Sequence, residues 1–542
     1  MTCTLDIILQ QLYPLRRSLL GTDNDKALSI IGEYYPLIIH SFKSGDKVLD
    51  WTVPPEWKIN RATLTSESGK LICDSNRSIL EVVNYSEPYK GLLSLEDLED
   101  HLYISDILPE SIPYRTSYYN RSWGFCLSKS SYDDLDKNCL YEVDIDSDFV
   151  DGYMNVGELC IEGRSKKEII LTSYLCHPEQ AHDGLSGVIC LLDLYNKLKK
   201  RDNLYTYRFF FIPETIGSIC LLSRGIIEPL RVEFGIVSTC VGYGEDLTYK
   251  ETFYGNHPLD NIVKNRNKTT NQKFTPTGSD ERQLSSPKIR IPTASIMTNP
   301  HSEFPEYHTS YDNLDLVNVE CIKNVSSFYL DVLEEYERRE CYIISHDGCE
   351  PFMANKNVYR QTGGTSNNQW DNVRNWVIFM SDNNHSQLDI SVKTGICIKQ
   401  IEKCVKVLLE KDIIKLRDFI KQYCHEKGVK IIHRPYNASR SEDKLISVLR
   451  YGYYNLDQEY DGVVTIMANC PGHSSEQIDF CVSMLKDKGL NEVRSFNKSG
   501  EESGLIVFSK HIMESNQDVS YYIGGVTDEV TEIHYQSDLE NL

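Results

Sequence analysis

Residues 172–187 read TSYLCHPEQAHDGLSG, which places His177 and Asp183 six positions apart just where an apolar run stops. Three further segments carry similar groups: IPETIGS around Glu214, GSDERQ around Asp280, and EYHTSYDNLD around His308. Imidazoles and carboxylates gathered at strand ends are the ligand set of a hydrolytic zinc site. Such ligands hold Zn2+ while leaving one position for water, whose pKa then falls toward about 7. A nearby carboxylate not bound to the metal takes the water's proton and hands it to a leaving amine. One His and one Asp could make an ordinary polar turn; the four segments together argue for a site.

The elements that must hold these groups are legible as an alternation. EIILTSYLC, YTYRFFFIPE and EFGIVSTCVG are continuous buried-strand runs, and GVICLLDLYNKLKKR and TIGSICLLSRG between them read as helices. Strand–helix–strand alternation implies an α/β domain with a largely parallel sheet, whose ligands collect at the carboxyl ends of the strands. His177 and Glu214 fall immediately past two such ends. Ser186 and Gly187 begin the helix behind the first.

Around this core the texture changes. Residues 5–43 have apolar positions at helical spacing and predict two amphipathic helices. Residues 46–130, with DWTVPPEW and IPYRTSYYNRSWGFC, read as a small β-rich module. Its aromatic residues form either the module's core or a stacking wall for a sugar or peptide. Residues 386–416 read as helix, turn at Gly395, helix, in the manner of a winged helix-turn-helix. From His385 to Lys430 there are 10 Lys/Arg against 6 Asp/Glu in a chain of net charge −22, so docking or dimerisation is expected of this unit before DNA binding. Residues 431–542 read as a small α+β unit: strands in GVVTIMANC, NEVRSF, GLIVFSK and SYYIGGV, and a helix in SSEQIDFCVSMLKDKG.

The totals bound the function. A chain of 542 residues, 40% hydrophobic and 25% charged, is globular and points to three or four units. The strong negative charge disfavours nucleic acid and anionic lipid as partners of the whole molecule. No apolar run reaches the roughly 20 residues of a membrane span, and the N-terminal apolar residues have helical rather than signal-peptide character. Seventeen cysteines without regular spacing, several inside apolar runs, point to a reducing, cytoplasmic setting.

The fragments DxxSG, ExxG, GSD and HTxxDxL, in that order, resemble the co-catalytic zinc aminopeptidase superfamily, which also contains glutaminyl cyclases. DWTVPPEW, IPYRTSYY, WGFC, SYLCHP, IPETIGS, GSDERQ and EYHTSYDNLD together resemble the bacterial aminopeptidase-like family over residues 1 to about 430. Many members of that family are encoded in surface-polysaccharide gene clusters. The resemblance implies an α/β fold of the zinc-aminopeptidase, phosphorylase/hydrolase type: a mixed sheet flanked by helices, formed by residues 1–45 and 131–340. The β-rich module at 46–130 would be inserted in it, a winged helix would follow at 341–430, and the α+β unit at 431–542 lies outside the likeness.

Carried over residue by residue, His177, Asp183 and His308 match metal ligands, Glu214 matches the general base, and Asp312 orients the loop or His308. Thr215 stands where the second glutamate of the superfamily's EExG binds one metal. Thr239 and Cys240 stand where an aspartate binds the other. One zinc on His177, Asp183 and His308 is therefore expected, with two as the alternative. Cys240 could add a soft ligand or be a buried thiol, and His182 is read as supporting Asp183 from behind or as exposed. Asp280, Arg282 and Gln283 are expected at the mouth, with Arg282 clamping a substrate carboxylate or bracing the loop.

The function so implied is zinc-dependent hydrolysis of an amide, on a small peptide or an amino-acid- or acyl-decorated sugar. The alternatives are a ligand sensor coupled to the winged helix and a single-zinc cyclase. A homo-oligomer is compatible with the sequence, no membrane partner is expected, and nucleic acid would enter only through the winged helix.

Overall fold

A computed structural model describes residues 4–416, apart from 267, 302, 347–348, 357 and 359–368, and five strands beyond residue 461. Residues up to Arg417 form one compact unit and those from Asp418 a second.

The first unit is built on an eight-stranded sheet. Its order is Ile38–Lys43, Tyr153–Ile161, Thr206–Ile212, Glu168–Tyr174, Val232–Ser238, Thr293–Met297, Leu247–Lys250 and Thr269–Gln272. The four strands from Thr206–Ile212 to Thr293–Met297 are mutually parallel. Antiparallel neighbours close them on both sides, so the sheet is mixed where the alternation predicts a largely parallel one. The central strands are buried on both faces, which is why they read as continuous apolar runs.

Period-two alternation sends their side chains into two cores. Ile169, Leu171, Phe209 and Phe211 join the helices Thr4–Leu12, Thr22–Tyr34, Ser186–Leu198 and Val319–Arg338 on one face. Ile170, Phe210 and Ile212 meet Trp57, Leu64, Val143 and Ile145 of the β-rich module on the other.

The module's main sheet has the order Leu71–Asp74, Glu56–Ser66, Leu140–Val150, Tyr89–Ser94. It runs on to Val150, past the expected boundary at 130, because Leu140–Val150 pairs with both Glu56–Ser66 and Tyr89–Ser94. A second correction falls at the N-terminus. The expected helical pattern over 5–43 ends at Tyr34, and Ile38–Lys43 is an edge strand of the main sheet. Pro36 explains the break, since the residue before a proline is driven out of the α region: Tyr35 is extended at φ −135°, ψ 149°.

Beyond Val319–Arg338, a three-stranded sheet (Asp382–Ser386, Cys341–Ile344, Ile414–Leu416) packs with the helices Gln369–Phe379, Gln387–Thr394 and Ile398–Glu410. Gly395 ends the second of these in the left-handed region, φ 71°. Residues 417–430, which the winged-helix reading also takes in, lie outside the described residues. In the second unit, Gly462–Ile466, Glu492–Phe496, Glu502–Ser509, Ile523–Thr527 and Val530–Tyr535 form a five-stranded sheet. The helix expected in SSEQIDFCVSMLKDKG lies outside the described residues. Among the described residues, no helix is long and apolar enough to cross a membrane.

Candidate metal centre

The four parallel strands deliver the site from their carboxyl ends. His177 follows Glu168–Tyr174, Glu214 follows Thr206–Ile212, Cys240 follows Val232–Ser238, and the loop after Thr293–Met297 carries His301 and His308. This is the rim where α/β sheets bind ligands.

Asp183 sits at the centre on the wound turn Ala181–Leu185. There Gly184 takes φ 101°, a conformation glycine adopts without strain. The turn is held from outside by Asp312, itself completely buried. Its Oδ1 accepts from the Ala181 and His182 N–H groups at 3.1 and 2.5 Å, and its Oδ2 from Asp183 N–H at 2.8 Å. Burial and the Asp183 charge push Asp312 up to about 8, against the pull of those three donors. Behind the turn, Gly187 lets the helix Ser186–Leu198 touch the sheet: a Cβ there would lie 2.0 Å from the Ser238 carbonyl.

Two groups of ligand-type side chains meet at Asp183 among the described residues: His177, Asp183 and His308, and Asp183, Cys240 and His301. Within each, the ligand atoms lie within 4.8 Å of one another. His308 Nε2 is 2.9 Å from Asp183 Oδ2, an oxygen that lacks a well-formed hydrogen bond among the described residues. Asp183 Oδ1 accepts from the Tyr174 hydroxyl and lies 3.6 Å from Cys240 Sγ. One buried and one half-buried imidazole around a buried carboxylate, with an oxygen left over, suit a zinc ion.

Burial drives His177 down to about 3, so its imidazole is neutral, the form that binds metal. Burial alone would raise Asp183, but His177 and His308 outweigh it and hold the carboxylate ionised. His177 is fixed through its backbone, its carbonyl accepting from the buried Arg17 guanidinium at 2.5 Å. His308 stacks on Tyr307 with ring centroids 4.0 Å apart, and Tyr114 meets both imidazoles edge-on. Of the aromatic segments, Trp57 belongs to the module's core, while Tyr114 reaches His177 and His308.

Glu214 Oε2 stands 3.9 Å from His177 Nε2. Burial, then the charges of Asp280 and Asp183, push this carboxyl up to about 8. Its position is fixed by Thr215, held in the left-handed region at φ 68°. Thr215 N–H donates to Asp280 Oδ1 at 2.9 Å, and the Ser218 hydroxyl donates to the same oxygen at 2.7 Å.

Asp280 is therefore completely buried beneath the Glu214 turn, and does not line the mouth as the sequence suggests. The N–H and hydroxyl donors of that turn draw it inward. The Arg282 guanidinium is exposed and donates to Thr215 Oγ1 at 2.9 Å, beside Glu214, and Gln283 is half-buried on the same helical turn. His182 is buried, not exposed: its Nδ1 accepts from Gly242 N–H at 2.9 Å, and its ring packs against Tyr243 and Phe304. His301 and Tyr174 also reach the site, and no motif in the sequence marks either.

The chain matches the sequence model of a domain of unknown function (DUF4910) over residues 7–339. It is 38% identical over 415 residues to a Clostridium acetobutylicum protein named "Putative polysaccharide biosynthesis protein with aminopeptidase-like domain", the match covering 76% of this chain and 95% of that one. A crystal structure described as a "putative peptidase" from Clostridium acetobutylicum is 36% identical, covers 76% of this chain and 96% of its own, and superposes with a TM-score of 0.61. A zinc aminopeptidase from Bacillus subtilis shares 13% identity over 61% of this chain and 93% of its own, at a TM-score of 0.46. The family model over residues 7–339 and the 38% identity to the Clostridium acetobutylicum relative decide the matter: the chain belongs to the DUF4910 family of bacterial aminopeptidase-like proteins.

Proposed function

We propose that the protein is a zinc-dependent amide hydrolase, with His177, Asp183 and His308 as metal ligands and Glu214 as general base. The observation that carries this reading is the placement of the Glu214 carboxylate 3.9 Å from His177 Nε2, beside the ligand group. Zinc bound there supplies a Lewis acid and a water acidic enough to lose a proton near neutral pH. Glu214 takes the proton from the attacking water as it adds to the amide carbon, and returns it to the nitrogen as the C–N bond breaks. Tyr174 donates to Asp183 and keeps the carboxylate turned toward the imidazoles. Arg282, exposed beside Glu214, offers a fork for a carboxylate on the substrate.

The substrate class is an N-terminal peptide bond or the amide of an amino-acid- or acyl-decorated sugar. The relative's name, which refers to polysaccharide biosynthesis, supports the second. Thr215 at the position of the second glutamate favours one further reading, a ligand sensor that has lost turnover. Glu214→Gln separates the two. The hydrolase reading expects zinc and substrate binding to persist and kcat to fall by about 100-fold or more. Hydrolysis at the wild-type rate by this variant would end the assignment of Glu214, and ligand binding by a wild-type protein that turns over no amide would favour the sensor.

A further inference from the structure

A row of aromatic side chains leads from the candidate metal centre to solvent. The Tyr114 ring meets the His177 and His308 rings edge-on, at centroid distances of 5.3 and 5.2 Å. Its hydroxyl oxygen lies 2.6 Å from that of Tyr118, so the two share a hydrogen bond. Tyr118 meets Tyr119 at 6.2 Å, and Tyr119 meets Trp51 at 5.1 Å with the ring planes 85° apart. Exposure rises along the row: Tyr114 is buried, Tyr118 and Trp51 are half-buried, and Tyr119 is 54% exposed.

Tyr119 is therefore not part of the module's core, and its polar end belongs to the site. Burial around its hydroxyl, then Cys176, Glu214 and Asp280, push the phenol above its ordinary range, while Arg282 pulls the other way. The hydroxyl end thus faces the Glu214 turn, and the exposed ring meets the Trp51 indole in an open right-angled corner. A pocket for an apolar peptide side chain is a cleft that buries most of its ligand. A corner left in water instead suits a ligand that is itself amphipathic, with an apolar C–H face and hydroxyls around its edge. A pyranose ring is of that kind: its C–H face covers an aromatic face, and the tyrosine hydroxyls meet its polar edge.

We propose that Tyr119 and Trp51 form a saccharide subsite, on which the pyranose ring of an N-acylated amino sugar stacks while its amide reaches His177 and His308 along Tyr114. This inference rests on the hydrolase reading for what enters the site, and it selects the sugar-borne amide over the N-terminal peptide bond. Trp51 lies in DWTVPPEW and Tyr119 in IPYRTSYY, so the β-rich module chooses the substrate for a site that the main sheet builds.

The probes are methyl glycosides of acetamido-hexoses, with the acetamido group at each ring position in turn, and N-acetylphenylalanine amide as the peptide-class competitor. Binding to full-length protein supplied with zinc is followed by saturation-transfer NMR. Circular dichroism checks the fold of each variant, and hydrolysis of the same probes is assayed alongside. An acetamido sugar should bind, with saturation strongest at its ring C–H protons. Tyr119→Ala and Trp51→Ala should each weaken that binding about 10-fold, and Tyr119→Phe, which keeps the ring, should stay within about 3-fold of wild type. Sugar binding that neither alanine variant changes overturns the subsite, as does a panel in which only the peptide amide binds or nothing binds. Tyr119-dependent binding of a sugar that is never hydrolysed upholds the subsite and counts against the hydrolase reading. Hydrolysis of the peptide amide with no sugar bound does the reverse, so the two readings fail separately.

Discussion

Asp312→Asn probes how the central ligand is held. The wild-type carboxylate accepts three backbone N–H groups from Ala181, His182 and Asp183, all inside the protein. Asparagine keeps one oxygen, which can satisfy the Ala181 and His182 donors, but turns an amide NH2 toward the N–H of Asp183. One hydrogen bond is lost and one buried donor is left facing another. A charge-assisted bond contributes roughly 1.5–3 kcal/mol and an orphaned buried group costs about 1–3, so the turn should open about 2–4 kcal/mol more easily once overlap between the two is allowed for.

Hydrogen exchange followed by mass spectrometry reads this directly. Amides of the turn around residues 181–183 should exchange about 30-fold to 1,000-fold faster, while the Glu168–Tyr174 strand stays protected. Zinc affinity, measured against a competing chelator, should fall by about 10- to 100-fold, since Asp183 loses its fixed orientation. The competing possibility is an Asp312 kept protonated by its burial and the Asp183 charge, a state asparagine mimics. Unchanged exchange in the turn and unchanged zinc affinity would refute the ionised acceptor.

Gly187→Ala should place a methyl group 2.0 Å from the Ser238 carbonyl and 2.6 Å from the Ser173 hydroxyl oxygen. Neither can retreat, so a destabilisation of about 3 kcal/mol is expected in chemical unfolding, and a variant as stable as wild type would contradict the packing. His257 gives a pH signature away from the candidate site. Burial, reinforced by the Arg339 charge, lowers it from 6.5 to about 3, while its Nδ1 accepts from Leu259 N–H. A depressed folded-state pKa means the contribution is intact above 6.5 and is lost as pH falls toward about 3. His257→Gln should flatten the fall in unfolding midpoint across that window, and an unchanged slope would show that the imidazole is not held neutral.

What the sequence made legible is the part governed by local pattern. The runs EIILTSYLC and YTYRFFFIPE announced buried strands, and the residues after them proved to be at the sheet's carboxyl rim. Asp312, expected to orient its own loop or His308, holds the Asp183 turn instead. The misses come from contacts that periodicity does not encode. LIIHSF looks helical by apolar spacing, and only pairing with Tyr153–Ile161 makes it a strand. Asp280 looked available for substrate because its segment is polar, yet it is buried, its Oδ1 accepting from Thr215 and Ser218, 65 and 62 residues away. His301 meets Cys240 across 61 residues of chain, with nothing in NPHSEF to mark it.

The loop bearing His308 is stitched to the segment that bears Tyr114. Pro113 pairs with Thr309, Tyr114 N–H donates to the His308 carbonyl at 2.7 Å, and Ser310 N–H donates to the Ile112 carbonyl at 2.8 Å. His308, on the sheet's rim, is thus positioned by chain that precedes His177 and belongs to the β-rich module. Assembly of the centre must wait for both parts to meet: closing such long loops is entropically slow. Closure of the His177, Asp183 and His308 group then reports a finished fold, and a chain stalled with the module undocked would present Asp183 and His177 without His308 fixed beside them.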